Sequence, residues 1–301
     1  MISFKCKNCG GEMNVSRSGD LFCSYCGTKA VFSDSELREY RDFRGRMLDY
    51  LSAVANTNGA PEETEFIWSR AEKARFCGED SSPIEISWLF KGEQDGVTVY
   101  TARHNVLFVF KSGDERAAGF FKNVEALEFP SADVRELGQY FPKHGGTFRL
   151  KDGGVLLAVN KPETVFPLSA FGSLPPEHAA WVISRLENLC CVLAYSGLAH
   201  NGIGMDSVFI DAGRHSMYLL GGWWNAHPSP EGSRGDLLAL RETAKRVLGV
   251  YCEGSPKMLK DFLSGEPKAN AYEDFAAWDA VIKEAFGGRK FVRLDLGALK
   301  I

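Results

Sequence analysis

The stretch His200-Asn201-Gly202-Ile203-Gly204-Met205-Asp206-Ser207-Val208-Phe209-Ile210 decides how the rest of the chain is interpreted. It follows residues 177–196, whose apolar side chains recur at helical spacing and predict a long helix. Gly197 marks the end of that helix. The apolar run 208–210 predicts a short strand. Residues 200–207, between the predicted helix and the predicted strand, are therefore expected to form a loop.

This loop and the segment after it resemble the catalytic loop and the metal-binding segment of protein kinases, with motifs H-R-D-L-x-x-x-N and D-F-G. His200 matches the motif's histidine, whereas Gly202 replaces the catalytic aspartate and Ser207 the metal-binding asparagine. After the run 216–220, Gly221-Gly222 stands where the magnesium-binding aspartate would be. Phosphoryl transfer needs these groups. The chain thus resembles a degenerate pseudokinase of the protein-kinase-like superfamily, which implies an α+β, bilobal fold with a small β-rich lobe and a helical large lobe.

Residues 84–111 resemble the glycine-rich hairpin and third strand of a kinase small lobe. Gly92 matches the first glycine, and Lys111 matches the lysine that steadies the triphosphate. Gln94 and Val97 replace two further glycines, so the backbone loses its close approach to phosphates. The resemblance therefore implies a vestigial nucleotide cleft. It allows ATP as a ligand, while the replaced glycines count against it.

The same resemblance places an acidic partner for this lysine on the following helix. We expect Glu125, within the run 121–127, to pair with Lys111, and Glu128 is the alternative. The other interpretation is that Lys111 is an ordinary lysine at the end of a strand.

Further features fit the same order. Apolar runs at 147–150 and 155–159 flank a glycine-containing turn, which predicts a hairpin that leads into the hinge between the lobes. Trp223 and Trp224 are expected to fill space left by the missing metal site, and a ligand-stacking surface is the alternative. The resemblance gives Asp236 a structural role, bonding the loop backbone. The resemblance spans about residues 84–290, and segments 255–265 and 272–286 predict closing helices.

The N-terminal residues carry two C-x2-C knuckles, formed by Cys6 with Cys9 and by Cys23 with Cys26. Two such turns can present four thiolates to one tetrahedral Zn2+, and the segment between them predicts a hairpin. The alternative is a pair of disulfides, which an intracellular chain disfavours. We therefore predict a structural zinc ribbon, and in so small a unit the metal supplies the folding energy.

A helical connector is predicted between the ribbon and the kinase-like body. Apolar residues recur at helical spacing from 37 to 51, and a second helix is expected over residues 62–75. The predicted division is a zinc ribbon at 1–32, a helical connector at 33–80, a small lobe at 81–162 and a large lobe at 163–301. The whole resembles bacterial or phage-associated kinase-fold proteins that carry a small N-terminal module.

Composition limits the partners. The 301-residue chain has a formal net charge of −4, so it has no general attraction to nucleic acid or anionic membranes. It contains no apolar run of the roughly 18 residues that a membrane span needs. The N-terminus lacks the pattern of a signal peptide, and a cytoplasmic location is expected.

The sequence is compatible with three functions. The first is a catalytically inactive scaffold or regulatory protein that binds protein partners and responds to nucleotide if the cleft is intact. The second is an atypical ATP-dependent phospho- or nucleotidyl-transferase, for which Asp206 and Asp211 are the candidate carboxylates. The third is a regulator that binds nucleic acid through the ribbon, where basic residues slightly outnumber acidic ones.

Overall fold

The computed structural model describes residues 4–5, 12–15, 21–23, 29–30, 38, 60–129, 134–229, 233–288, 292 and 294–300. Within the N-terminal part, four short strands form an antiparallel sheet in the order β1-β2-β3-β4. They are β1 (Phe4–Lys5), β2 (Glu12–Val15), β3 (Leu21–Cys23) and β4 (Lys29–Ala30). The pairing of β2 with β3 confirms the hairpin predicted between the two cysteine knuckles.

The connector differs from its prediction. Helix α1 covers Ala60–Trp68 and does not continue to residue 75, because Glu72–Cys77 forms strand β5. This strand pairs antiparallel with β6, so the sheet of the small lobe begins before residue 81. Alternating half-buried and exposed side chains in β5 explain the strand, since a period of two matches a sheet and not a helix. The predicted first connector helix lies outside the described residues apart from Arg38.

The small lobe is a six-stranded antiparallel sheet in the order β5-β6-β7-β8-β10-β9. The remaining strands are β6 (Pro83–Gln94), β7 (Val97–Ala102), β8 (Asn105–Phe110), β9 (Lys143–Arg149) and β10 (Val155–Asn160). Asp95 and Gly96 form the β6–β7 turn with positive φ angles of 51° and 78°, which a tight hairpin turn favours. The predicted hairpin of β9 and β10 is confirmed.

The two outer strands of this sheet meet at one end. Gly78, just after β5, forms an antiparallel bridge with Leu150, just after β9. Glu79 N donates to Arg149 O at 3.0 Å, and Lys151 N donates to Cys77 O at 2.9 Å. The sheet is therefore curved and joined at this seam. Its concave face carries a separate apolar cluster formed mainly by Tyr100, Leu107, Leu150, Leu156 and Ala158.

The large lobe is helical. Its helices are α3 (Pro176–Tyr195), α4 (Arg234–Leu248), α5 (Lys257–Ser264) and α6 (Ala271–Phe286), and α2 (Arg116–Glu125) belongs to the small lobe. Short strands β11 (Val165–Pro167), β13 (Val208–Asp211) and β14 (Ser216–Leu219) form one sheet, and β12 (Leu198–Ala199) pairs with β15 (His227–Pro228). The predicted α+β fold, with a β-rich small lobe and a helical large lobe, is confirmed.

Helix boundaries in this lobe follow the punctuation of the sequence. Proline occupies the first turn of α3, and Gly197 follows the helix with a φ of +62°. Ser233 caps α4 and Asn270 caps α6, each by accepting a bond from a backbone N–H in the first turn. No helix in the described part of the chain has both the length and the apolar character needed to cross a bilayer.

Lys161 lies in the hinge between the lobes with only 6% of its surface exposed. Its Nζ donates to Arg103 O at 3.0 Å and to Pro162 O at 3.2 Å, and it lies over the rings of Trp68 and Phe166. Burial lowers the pKa of Lys161 to about 7, against the opposing attraction of nearby carboxylates. This side chain joins α1, the hinge and the large lobe.

We expect Lys161 to give the protein a pH-dependent stability. Because its pKa falls from 10.5 to about 7 on folding, the unfolded chain binds the extra proton between these values. Stability should therefore rise with pH in that window and change little from this group below it. Lys161→Met should remove this slope from the melting temperature measured between pH 6 and about pH 10. The exposed control Lys283→Met should keep it, and parallel profiles for Lys161→Met and wild type would contradict the assignment.

Candidate functional site

The candidate site is the cleft between the β6–β7 hairpin and the loop that follows β12. Gly92 pairs with Val99, and Val99 belongs to the core cluster between the lobes. Paired residues of an antiparallel sheet share a face, so Gly92 also faces the cleft. A Cβ on Gly92 would lie 3.8 Å from Asp206 Oδ1, which places the hairpin directly against the loop. The two segments predicted to line a cleft are therefore brought together.

Lys111 does not reach this cleft. Side chains alternate between faces along a strand, and in β8 it is Phe108 and Phe110 that pack into the core between the lobes. Val109 packs on the opposite, concave face. Lys111 comes directly after β8 and is exposed. The prediction that Lys111 faces the cleft was therefore wrong. The side chain that faces the core between the lobes is that of Phe110, one residue earlier.

The predicted partner of the lysine was also wrong. Glu125 is the last residue of α2 and is exposed. Among the ion pairs between residues that the structure describes, none joins Lys111 to Glu125 or to Glu128. Helix α2 faces the cleft with aromatic side chains instead, since Phe120 is fully buried against Phe108.

The carboxylate of Asp236 binds the backbone at the start of the loop at 200–210. Its Oδ2 accepts a bond from His200 N at 2.7 Å, and its Oδ1 accepts one from Asn201 N at 2.8 Å. The Ser233 hydroxyl in turn accepts a bond from Asp236 N at 3.0 Å. Burial raises the pKa of Asp236, although these bonds favour the carboxylate. These contacts are those that the resemblance assigned to this aspartate.

His200 is a buried structural group. Its Nδ1 accepts a bond from Gly202 N at 3.2 Å, and its ring lies 4.9 Å from that of Trp223. Burial lowers the pKa of His200 to about 3, so the imidazole is neutral at physiological pH and is a poor proton acceptor. Ser207 is likewise turned into its own loop, where its Oγ accepts a bond from Gly204 N at 2.8 Å.

Three glycines press the loop against the segment that follows β14. A Cβ on Gly202 would lie 3.0 Å from Gly222 Cα and 3.1 Å from Gly222 O. On Gly221 it would lie 2.8 Å from Gln94 Oε1, and on Gly222, whose φ is +77°, it would lie 2.8 Å from His200 Cε1. These distances are shorter than ordinary carbon contacts. A side chain at any of these positions would therefore require its neighbours to shift.

The tip of the β6–β7 hairpin closes the cleft. Gln94 Nε2 donates to Gly202 O at 3.1 Å. The carboxylate of Asp95 accepts bonds from Asn225 Nδ2 at 2.7 Å and from Trp224 Nε1 at 3.3 Å. Arg116 at the start of α2 donates to Asp95 O at 2.8 Å. A hairpin that would cover phosphates in the resemblance is bonded here to the large lobe by its own side chains.

The two tryptophans fill the interior next to this tip, as predicted for them. Trp223 is fully buried, and its Nε1 donates to Leu219 O at 2.9 Å. Trp224 packs edge-on against Phe108 and Phe110, each with ring centroids 5.5 Å apart. Neither ring is available as a stacking surface, because at most 8% of either residue is exposed.

A small cavity of about 150 Å³ remains between β6–β7 and the large lobe, lined by residues that include Phe90, Thr101, Pro167 and Phe209. Sites for drug-sized ligands usually span about 300–1,000 Å³. Asp206 lines this cavity and accepts a bond from Ser169 Oγ at 2.6 Å.

The other candidate carboxylate, Asp211, lies at the end of β13 and accepts a bond from Thr164 Oγ1 at 2.7 Å. It is 1% exposed, and burial raises its pKa. It does not line the cavity beside Asp206. The two carboxylates therefore do not converge on one reacting centre.

The zinc prediction can be compared with the structure at one cysteine. Cys23 ends β3 and is 1% exposed, which suits a ligand held inside a ribbon. Cys6, Cys9 and Cys26 lie outside the described residues. Among the residues that the structure does describe, no group of three or more potential metal ligands lies together. Four cysteines with this spacing fit Zn2+, and the zinc site stays a prediction.

Sequence reasoning missed the groups that close the cleft. Gln94 was recognised only as a lost glycine, and Asp95 was not singled out. The bond from Gln94 joins residues 108 positions apart, so no local pattern could indicate it. Phe110 was missed because β8 is apolar on both faces, which removes the alternation that would have revealed its register.

Comparison with known proteins gives likeness in structure alone. No family model and no curated protein matches the chain. A rhoptry kinase from Toxoplasma gondii is similar at 11% identity, with a TM-score of 0.46, over 72% of this chain and 84% of that one. Vaccinia related kinase 3 is similar at 13% identity, with a TM-score of 0.45, over 74% and 96%. The BubR1 kinase domain is similar at 10% identity, with a TM-score of 0.46, over 66% and 80%.

The glycine contact predicts that an aspartate at position 202 destabilises the fold. Gly202→Asp should lower the free energy of unfolding by about 1–3 kcal/mol, because the added atoms overlap the Gly222 backbone. Gly204→Asp is the matched control, since a Cβ there meets only Ser207 Oγ at 4.0 Å. Urea unfolding of both variants measures the difference. Equal stability of the two variants would contradict the close contact.

Proposed function

We propose that this chain is a catalytically inactive kinase-like protein, a pseudokinase, that works by binding protein partners. The observation that carries the proposal is the backbone contact between Gly202 and Gly222. It occupies the space that a catalytic carboxylate and a metal-binding carboxylate need. Phosphoryl transfer depends on such groups for positioning and for charge stabilisation, and their removal costs orders of magnitude in rate.

The nearest remaining carboxylate does not replace them. Asp206 points at Gly92 on the hairpin and is bonded to Ser169. A general base must lie within hydrogen-bond reach of the proton that it takes, and a metal needs several oxygen ligands together. Asp206 stands alone in both respects among the described residues that line the cavity. An atypical transferase would therefore lack a second acidic group at this place.

The closed cleft also argues against a nucleoside triphosphate as a ligand. Gln94 and Asp95 use their polar atoms on the large lobe, where phosphates would need donors. The inward position of β8 is Phe110, which offers no charge. ATP is therefore no part of the proposed function. The predicted zinc ribbon is part of it, as a second docking module, on the strength of its cysteine spacing.

A phosphoryl-transfer assay tests the proposal. The full chain, with ATP or GTP and with Mg2+ or Mn2+, should transfer no label to itself or to a generic acceptor protein. The signal should equal that of the same mixture without the chain. Asp206→Asn should give the same trace, because no reaction depends on this carboxylate. If the wild type transfers phosphate and Asp206→Asn does not, the proposal is overturned and the transferase hypothesis is supported.

Thermal unfolding with the same nucleotides supplies an independent readout. A ligand present at about a hundred times its dissociation constant stabilises the folded state by roughly 2.7 kcal/mol, which raises the melting temperature visibly. We expect no rise with ATP, ADP or GTP, with or without metal. A metal-dependent rise would contradict the closed cleft.

A further inference from the structure

Strand β9 is an outer strand of the small-lobe sheet with a free half. It pairs with β10 along its length, and its other edge meets the chain after β5 only at the seam of Gly78 with Leu150. Residues 143–147 have no second strand beside them in the part of the chain that the structure describes. An edge of this kind presents unpaired backbone groups that another extended chain can bond.

The seam fixes which backbone groups face this edge. Arg149 O accepts the bond from Glu79 N across the seam, so the peptide groups of Arg149 point away from β10. Backbone groups of successive residues in a strand point to alternate sides. Thr147 therefore directs its N–H and C=O to the same edge, while Phe148 and Gly146 direct theirs to β10. Thr147 itself is exposed.

The free half offers an apolar contact beside these backbone groups. Phe148 shares the concave face with its partner Leu156, yet 43% of its surface is exposed. Its ring lies over Gly146, where a Cβ would be 3.0 Å from the ring. Gly145 and Gly146 carry no side chains of their own.

Strand β9 and the two residues after it are basic, whereas Glu79 and Asp152 are acidic residues at the seam end of the edge. Residues 143–151 contain Lys143, Arg149 and Lys151, together with His144, and no acidic residue. None of the ion pairs between described residues uses these three cations. The chain as a whole has a net charge of −4, opposite in sign to the charge of residues 143–151. Opposite charge is what its complement requires.

We propose that the free half of β9 is a docking edge for an extended acidic segment of a partner protein, which adds to the sheet as a further strand. The backbone of Thr147 bonds the segment, Phe148 contacts an apolar side chain at an alternate position, and the cations hold its carboxylates. Strand addition of this kind combines main-chain bonds with side-chain specificity. The proposal goes beyond the closed cleft and takes from the proposed function only that the partner is a protein.

A labelled peptide of about ten residues, alternating glutamate and valine, is the probe. Fluorescence anisotropy with the full chain should show saturable binding that weakens with salt, while the peptide with lysine for glutamate should not bind. Thr147→Pro should weaken binding about tenfold, because it removes one edge N–H that contributes up to roughly that factor. Proline at this position leaves the β10 bonds intact, since the lost N–H faces the edge.

Charge variants keep the test valid if the proline variant fails to fold. Arg149→Glu should weaken binding and reduce its salt dependence, and Lys283→Glu on the large lobe, which makes the same charge change, should alter neither. Equal affinity of wild type and a folded Thr147→Pro would overturn the proposal, as would equal binding of both peptides.

Other occupants of the edge give different results. Binding of a single-stranded oligonucleotide without binding of the acidic peptide would assign the edge to nucleic acid and overturn the proposal. Self-association that Thr147→Pro abolishes, measured by sedimentation, would assign it to a second copy of the chain and also overturn it. Absence of any binding would overturn the proposal as well, and the cations would then protect the edge from pairing. None of these outcomes affects the transfer assay, so the two proposals fail separately.

Discussion

The contact between the backbones of Gly202 and Gly222 is the constraint on which the rest of this structure depends. It brings the loop after β12 and the turn after β14 so close that a Cβ on Gly202 would lie 3.0 Å from Gly222 Cα. Asp236 fixes the loop from the other side through two short bonds to backbone N–H groups. Together these contacts hold the loop between the Asp236 carboxylate and the turn after β14.

Aromatic packing takes over where charged groups would otherwise stand. The rings of Trp224, Phe108, Phe110 and Phe120 form one cluster between the lobes, and Trp223 packs on His200. Each ring buries a large apolar area, and edge-to-face pairs add about 0.5–1.5 kcal/mol beyond that area. The lobes are then held together by dispersion and by the bonds of Gln94 and Asp95, with no ligand needed to bridge them. The interface between the lobes is therefore packed with buried aromatic side chains, as a hydrophobic core is.

Much of the fold could be predicted from the sequence, and the reasons differ by element. The long helix α3, the β9–β10 hairpin and the helices α5 and α6 have local signals, since proline, glycine and apolar spacing define their ends. Strand β5 was mistaken for the end of a helix because the turn at residues 78–82, which joins β5 to β6 as a hairpin, was not recognised. Lys111 was placed in the cleft because a strand that is apolar on both faces hides its register. The bond from Gln94 to Gly202 was beyond prediction, because it depends on how the two lobes meet.

The most direct test of the closed cleft is an experimental structure of the full chain, obtained with saturating ATP and Mg2+. We expect Gln94 Nε2 to stay within hydrogen-bond distance of Gly202 O and Asp95 to stay bonded to Asn225. We also expect no nucleotide beneath the β6–β7 hairpin. A triphosphate between the hairpin and Gly221, with Gln94 displaced, would contradict it.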